Sequence, residues 1–197
     1  DKICAITAAM AHGTGLCGFE REFPSRFFDV GIAEEHAVTF AGGLAKNGMK
    51  PVLALYSTFA QRSYDQALHD ISLQKLPLTL LLDRCGVVEG DGVTHQGIFD
   101  YALFTSVPNA KIYAPSSFCE LRDIISLSVS DTCLSVVRYP KGEEVRCDFG
   151  REMIYDSERM IYCSQNIKEA TRVIVTYGRM SKIASEALNH LPSDTGI

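Results

Sequence analysis

The stretch DVGIAEEH, residues 29–36, decides how this chain of 197 residues is interpreted. In it a carboxylate, Glu34, stands where a run of apolar residues and glycine turns into a predicted helix over residues 33–47. This position suits a buried acid that faces a bound heterocycle, because a carboxyl removed from water can share a proton with a nitrogen base. The alternative is an ordinary acid favoured by the helix dipole, a role that Glu35 fits equally well.

Predicted strands and helices alternate along the rest of the chain. Apolar runs predict strands at 3–7, 26–30, 51–56, 78–83, 111–114 and 134–139, and helical spacing predicts helices at 33–47, 63–73 and 118–129. The repeated strand–helix–strand order predicts an α/β fold with a mainly parallel sheet and helices on both faces. Sheets of this kind bind ligands at the carboxyl ends of their strands.

A turn at residues 140–144 predicts the end of a first domain over residues 1–143. Residues 144–169 are expected to form a linker that contains a weakly alternating hairpin. Residues 170–197 are expected to open a second α/β domain, with a strand at 171–177 and a helix at 180–191. The chain begins at Asp1 and stops where another strand is expected, so we expect missing upstream sequence and a truncated second domain.

Composition limits the class of protein. The net charge of −5 provides no basic surface for nucleic acid or for an anionic membrane. The longest apolar run, around residues 76–82, is too short to span a bilayer, and no signal peptide is visible. Seven cysteines without a C-x-x-C pair predict free thiols in a reducing cytoplasm and no metal site in this chain.

Polar and aromatic side chains that could carry chemistry lie at or after the ends of three of the predicted strands. They are Tyr56, Phe59 and Arg62 after the third strand, Arg84 after the fourth, Asp91 and His95 in the following loop DGVTHQG, and Arg138 at the end of the sixth. Because the carboxyl ends of parallel strands share one edge of a sheet, we expect these side chains to gather there.

Each candidate also has an ordinary structural interpretation. His95 could exchange protons near neutral pH or bond to backbone, and Asp91 could orient a catalytic group or form an Asx turn. Arg84 and Arg138 suit capture of a phosphate, although rim salt bridges would use the same groups. The rings that follow the third strand could stack on a flat ligand or pack in the core.

In this order and spacing the motifs resemble those of 1-deoxy-D-xylulose-5-phosphate synthases, a thiamine diphosphate-dependent family of transketolase type. The resemblance rests on DVGIAEEHAVTFA (29–41), YSTF (56–59), RSYDQ (62–66), THQG (94–97) and VRYP (137–140). It covers a central pyrimidine-binding domain, residues 1 to about 143, and continues into the start of the transketolase C-terminal domain.

The resemblance implies condensation of pyruvate with glyceraldehyde 3-phosphate and loss of CO₂, for the synthesis of isoprenoid precursors, thiamine and pyridoxal. It implies a homodimer with small-molecule substrates. The implied roles are contact of Glu34 with a pyrimidine nitrogen, a pocket lined by Tyr56, Phe59 and Arg62, proton movement by Asp91 and His95, and phosphate binding by Arg84 and Arg138.

The family's Mg²⁺ and diphosphate ligands belong to an N-terminal domain that this sequence lacks, so we expect this chain to be inactive alone. Other possibilities are a transketolase, a β-type subunit of a 2-oxo acid dehydrogenase, or a non-catalytic α/β binding module. The THQG and YSTF blocks speak against the dehydrogenase subunit, and the presence of Glu34 and His95 speaks against the binding module.

Overall fold

The computed structural model describes residues 2–143, 152–156, 159–163 and 168–197. The chain divides into two compact units, the first made of Asp1–Ala114 and Arg122–Gly142 and the second of Pro115–Leu121 and Glu143–Ile197. All of the candidate site residues lie in the first unit. In the part of the chain that is described, no helix is both long and apolar enough to cross a bilayer.

A six-stranded parallel sheet forms the centre of the first unit. Its strands are β1 (Ile3–Thr7), β2 (Phe27–Asp29), β3 (Lys50–Tyr56), β4 (Leu78–Asp83), β5 (Lys111–Tyr113) and β6 (Leu134–Arg138), in the order β2-β1-β3-β4-β6-β5. Residues 51–55 of β3 and 78–82 of β4 are all buried. Consecutive buried residues require cover on both faces of the sheet, so the predicted α/β fold is confirmed.

Helical segments connect the strands. They are α1 (Cys17–Glu22), α2 (Glu34–Lys46), α3 (Ser57–Ala60), α4 (Tyr64–Gln66), α5 (Asp100–Thr105) and α6 (Phe118–Ser128), with 3₁₀ turns at Pro24–Arg26, Gln61–Ser63 and Val93–His95 and a π-helical turn at Ala67–Ser72. The main strands and the helices α2 and α6 lie within a few residues of their predicted bounds.

Helix α2 packs closely because the residues on its buried face are small. Ala37 and Ala41 are fully buried, and a Cβ added at Gly42 would lie only 3.1 Å from Ile71 Cδ1. The helix stops before Gly48, which adopts the left-handed φ of +82° that glycine tolerates. The close packing fixes the position of the first residue of α2, Glu34.

The helical stretch after β3 differs from its prediction. A single helix was expected at 63–73, whereas the chain turns helical at Ser57 and passes through α3, a 3₁₀ turn, α4 and the π-helical turn. Each change of helix type shifts the spacing of side chains, so one apolar period cannot describe the stretch. Helix α1 was not predicted because it buries no residue and so carries no apolar stripe.

The second unit contains two small sheets. The strands β7 (Glu152–Asp156) and β8 (Arg159–Cys163) pair antiparallel, as the alternating pattern suggested, and the rest of the predicted linker lies outside the described residues. The strand β9 (Arg172–Val173) pairs in parallel with β10 (Thr195–Gly196). The helix α7 (Met180–Ala187) and a 3₁₀ turn at Leu188–His190 lie between these two strands in the chain. The strand predicted at 171–177 is short because its ladder partner β10 has only two residues.

Leu80 provides a test of the central packing. It is fully buried in the middle of β4, so we expect Leu80→Ala to lower the free energy of unfolding by roughly 2–5 kcal/mol. Leu73→Ala is the matched control, because Leu73 is 62% exposed and should change stability by no more than about 0.5 kcal/mol. Urea unfolding measures both, and equal losses would contradict the assigned core.

Candidate active site

Glu34 is a buried carboxylate. It is the first residue of α2 and is 2% exposed, whereas the neighbouring Glu35 is exposed. Its oxygens lie 3.1 and 3.4 Å from Nη1 of Arg62, whose side chain is 47% exposed. The helix N-terminus and the guanidinium both offset the cost of burying this charge. The structure therefore places an acid inside the edge of the sheet.

The turn before α2 is held by Asp29, the last residue of β2. Its Oδ1 accepts a hydrogen bond from Ala9 N–H at 2.8 Å and another from Gly31 N–H at 2.9 Å. Gly31 has a φ of +73°, which a residue with a side chain adopts less readily. The loop that follows β1 and the loop that leads to Glu34 are thereby tied to a single carboxylate.

Three rings lie in contact with one another, and the middle one, Phe59, lies beside Arg62, the partner of this acid. The Tyr56 and Phe59 rings stack with their centroids 6.0 Å apart, and the His95 ring meets Phe59 edge-on at 5.2 Å. The Arg62 guanidinium is 5.5 Å from the Phe59 centroid, and that of Arg84 is 3.7 Å from the Tyr56 centroid. The cations add attraction to the faces of the rings. Aromatic rings and positively charged guanidinium groups therefore alternate along the carboxyl edge of the sheet.

Tyr56 lies against Gly13, a contact that the sequence did not indicate. A Cβ added at Gly13 would lie 1.7 Å from Tyr56 Oη, so only glycine leaves room for the phenol at its present position. The glycines of the segment HGTGLCG, residues 12–18, do not have dinucleotide-binding spacing. The first of them, Gly13, makes room for the ring of a candidate site residue.

His95 lies on the 3₁₀ turn Val93–His95, within a loop that is fastened to α3. The Thr58 hydroxyl donates to the carbonyl oxygen of Thr94 at 2.9 Å, and the Thr94 hydroxyl lies 3.0 Å from Nδ1 of His95. Gly97, two residues later, passes so close to the residue that follows β4 that an added Cβ would be 2.2 Å from the carbonyl oxygen of Arg84. The loop can reach this position only with glycine there.

Asp91 lies between two cations. Its carboxylate is 2.8 Å from Nζ of Lys141 and 3.2 Å from Nε of Arg84. The hydrogen bond from Lys141, supported by Arg84, lowers the pKa of Asp91 below its ordinary value. Arg84 itself has a φ of +61°, an uncommon conformation for a residue with a side chain. Lys141 was not among the predicted residues, because a lone lysine in a turn carries no pattern.

Arg138 has a buried partner. Its Nε lies 2.7 Å from Oδ2 of Asp100, whose side chain is 1% exposed. Cys85 donates to the same oxygen at 3.3 Å, and burial, followed by the charge of Asp100, raises the pKa of the Cys85 thiol. Arg138 is the last residue of β6 and therefore lies at the carboxyl edge of the sheet, as predicted. Its ion pair with Asp100 was not predicted.

The candidate residues divide into two groups at the carboxyl edge of the sheet. Direct contacts join seven of them and Lys141 in one continuous set, namely Glu34, Tyr56, Phe59, Arg62, Arg84, Asp91 and His95. Arg138 belongs to the second group, with Asp100 and Cys85. The expectation that strand ends would gather these side chains is therefore met.

A separate cavity of about 230 Å³ lies where β4 and β6 begin, at the other edge of the sheet. It is lined by Ser72, Lys75, Asn109, Cys133 and their neighbours, and by none of the candidate residues. Burial raises the pKa of the Cys133 thiol, so the cavity presents no activated nucleophile. The candidate residues predicted from the sequence lie at the carboxyl edge instead.

Comparison with known proteins identifies the fold and the family. Residues 1–144 match the family model described as the transketolase, pyrimidine binding domain. The chain also resembles a transketolase structure from Campylobacter jejuni, with a TM-score of 0.77 and 17% identity over 99% of this chain and 32% of that one. A split-gene transketolase chain has a TM-score of 0.70 and 25% identity, covering 96% of this chain and 60% of that chain.

The chain therefore belongs to the family of transketolase pyrimidine-binding domains. Within it, the sequence matches 1-deoxy-D-xylulose-5-phosphate synthases: 51% identity over 98% of this chain with the Dictyoglomus turgidum protein, and 58% over 72% with that of Clostridium acetobutylicum. The chain spans 31% and 23% of the length of these relatives. The resemblance that the motifs predicted is confirmed.

The close approach of Gly97 to the carbonyl oxygen of Arg84 can be tested by substitution. We expect Gly97→Ala to destabilise the protein by roughly 1–3 kcal/mol, because the added methyl group meets backbone that cannot move away easily. Gly92→Ala, in the same loop, is the control, since no atom lies within 4 Å of its added Cβ. Equal melting temperatures for Gly97→Ala and Gly92→Ala would contradict the close approach of Gly97 to Arg84.

The buried thiol beside Asp100 leads to a second expectation. A raised pKa leaves little thiolate, so Cys85 should react with iodoacetamide at pH 8 far more slowly than the exposed Cys119. Raising the pH should speed the reaction of Cys85 only as its thiolate begins to form. Peptide mapping by mass spectrometry resolves the two sites, and rapid labelling of Cys85 in folded protein would contradict its burial.

Proposed function

We propose that this chain supplies the pyrimidine-facing half of a thiamine diphosphate site in a 1-deoxy-D-xylulose-5-phosphate synthase. The enzyme is a transketolase-type transferase that joins pyruvate to glyceraldehyde 3-phosphate with loss of CO₂. The buried Glu34 carboxylate carries the proposal, because an acid removed from water suits a nitrogen heterocycle, and its partner Arg62 lies over the ring of Phe59. Relatives named as this synthase support it.

The residues present fit the cofactor. Its aminopyrimidine ring is flat and has basic nitrogens, and the chain offers a buried carboxylate together with the stacked rings of Tyr56 and Phe59. When bound, thiamine diphosphate supplies a centre that stabilises the carbanion formed on loss of CO₂. Glu34 would hold a proton at a ring nitrogen. Arg62, at 3.1 Å, would orient that carboxylate and balance its charge.

The proton transfers at the substrate are assigned to His95 and Asp91. Nδ1 of His95 faces the Thr94 hydroxyl, so we assign proton exchange with the substrate to the Nε2 side of the ring. Imidazole is suited to this exchange near neutral pH. Asp91 stays ionised because Lys141 and Arg84 lower its pKa, which suits it to orient a cation or a proton donor.

The phosphate of glyceraldehyde 3-phosphate is assigned to cations at the same edge. Arg84 and Lys141 both lie within 3.2 Å of the Asp91 carboxylate, so the pair already holds one anion. Arg138, the other arginine expected from the sequence, would have to share its guanidinium between the phosphate and Asp100. Arg84 is likewise engaged by Asp83, at 3.1 Å, and by Asp91. We therefore assign the phosphate to Arg84 and Arg138 together, with Lys141 beside Arg84.

The remaining cofactor contacts are assigned to other parts of the synthase. On the family resemblance, Mg²⁺ and the diphosphate are assigned to the N-terminal domain of the synthase. The segment alone would then not turn over. The matched split-gene transketolase chain, described as an inactive β4 tetramer, supports this proposal.

On the same family basis we propose a homodimeric cytoplasmic enzyme that serves the synthesis of isoprenoid precursors, thiamine and pyridoxal. A transketolase or a 2-oxo acid dehydrogenase β-subunit would use the same fold. Product formation from pyruvate and glyceraldehyde 3-phosphate distinguishes the synthase, because a transketolase takes a ketose donor and the dehydrogenase subunit requires a lipoyl acceptor.

The catalytic role of Glu34 can be tested by comparing its substitution with that of the adjacent Glu35. In the full-length synthase that carries this segment, Glu34→Gln should lower kcat by roughly 10²–10⁴-fold, because the amide cannot exchange the proton. Glu35→Gln should stay within about twofold of the unmutated enzyme, since that side chain is exposed. Release of CO₂ from pyruvate in the presence of glyceraldehyde 3-phosphate measures both, and near-normal turnover of Glu34→Gln would refute the assignment.

A further inference from the structure

The loop from Gly86 to Gly97 carries two residues proposed to act on the substrate, Asp91 and His95. Two reciprocal backbone hydrogen bonds close it: Gly86 N–H donates to Gly97 O at 2.6 Å, and Gly97 N–H donates to Gly86 O at 2.9 Å. Surface loops whose ends meet in this way are commonly packed by their own side chains, in addition to any contacts made from outside the loop. The contacts that fix the loop backbone therefore also fix the positions of the Asp91 and His95 side chains.

Apolar packing gives the loop little support. Val87 and Val93 are 87% and 94% exposed, and Val88, at 5%, is the residue of the loop interior that is buried. The other residues from 89 to 96 are exposed or half-buried. Polar contacts must therefore hold most of the loop backbone in place.

One side chain, that of Gln96, makes these contacts from inside the loop. Its Oε1 accepts a hydrogen bond from Val88 N–H at 2.7 Å, and its Nε2 lies 3.2 Å from the carbonyl oxygens of Val88, Asp91 and Gly92. The amide therefore pairs with both backbone groups of Val88, as a neighbouring strand would. It also reaches two carbonyls on the opposite side of the loop.

The two carbonyls on the opposite side belong to the backbone beneath the proposed catalytic groups. Holding the Asp91 carbonyl fixes the peptide from which the carboxylate reaches Lys141, at 2.8 Å. The Gly92 carbonyl also accepts a hydrogen bond from His95 N–H at 3.0 Å, which closes the turn that carries the imidazole. Gln96 thus touches the backbone on which both side chains are mounted.

We propose that Gln96 is a positioning residue for the transfer reaction: its side-chain amide holds the 86–97 loop in the shape that presents Asp91 and His95 to the substrate. Its effect on catalysis rests on the proposed function, whereas its effect on the loop rests on the hydrogen bonds alone. A primary amide is required because it donates and accepts in one plane, whereas a carboxylate only accepts. Displacement of reacting groups by about 1 Å can cost about 10²-fold in rate.

Two substitutions of Gln96 distinguish the loss of its hydrogen bonds from a change in the size of its side chain. Gln96→Glu keeps the size of the side chain but turns an acceptor toward carbonyl oxygens, and Gln96→Met keeps the length and removes all of the hydrogen bonds. Gln74→Glu is the matched control, because Gln74 is exposed and lies outside the site. All are made in the full-length synthase, with kcat, the KM for pyruvate, the melting temperature and amide hydrogen exchange measured on each.

Both Gln96 variants should lower kcat at least about tenfold while the KM for pyruvate changes less than about threefold. Their melting temperatures should stay within about 2 °C of the unmutated protein, and exchange of amides 87–95 should rise by about tenfold or more. Gln74→Glu should change none of these quantities. The Val88 amide is the most direct readout, since its hydrogen-bond acceptor is lost in Gln96→Met.

Unchanged kcat or unchanged exchange at residues 87–95 in both variants would overturn the proposal. A loss of kcat that merely follows a lowered melting temperature would also overturn it, because the role would then be stability alone. If the unmutated protein fails to turn over pyruvate and glyceraldehyde 3-phosphate, the proposed function fails instead. The exchange measurement then still decides whether Gln96 holds the loop.

Discussion

The burial of one carboxylate, that of Glu34, is the constraint on which the site depends. A charge removed from water costs several kcal/mol in order of magnitude unless dipoles or an opposite charge compensate it. This chain supplies the start of α2 and the guanidinium of Arg62, 3.1 Å away. Arg62 reaches the acid because the chain turns helical directly after β3, and α2 begins at Glu34 because Asp29 holds the preceding turn. One ion pair thereby couples two connections of the sheet.

The parallel order of the sheet brings together the other half of the site. Strands β3, β4 and β6 are adjacent, so the residues that follow them meet at one edge although they are far apart in sequence. An unusual backbone and missing side chains occur at this edge: Arg84, after β4, has a positive φ, and Gly13 and Gly97 make room for Tyr56 and for the carbonyl group of Arg84. Local strain and close approach at this edge are characteristic of functional sites.

Much of the fold was predictable from the sequence, because strands buried on both faces are continuous apolar runs, as in residues 78–83. The burial of Glu34 was predictable from its place at a strand-to-helix junction. The pairs Asp91–Lys141 and Asp100–Arg138 were not, since their members are 50 and 38 residues apart and nothing local marks Lys141 or Asp100. The bridging by Gln96 was also hidden, because its partners are backbone groups whose positions depend on the folded loop.

A crystal structure of the full-length synthase that carries this segment, with thiamine diphosphate bound, tests the central claim most directly. The account predicts a carboxylate oxygen of Glu34 within hydrogen-bond distance, roughly 2.6–3.2 Å, of a pyrimidine ring nitrogen, with Phe59 against the ring. A bound cofactor whose pyrimidine lies elsewhere, while the Glu34 carboxylate faces only Arg62, would contradict it.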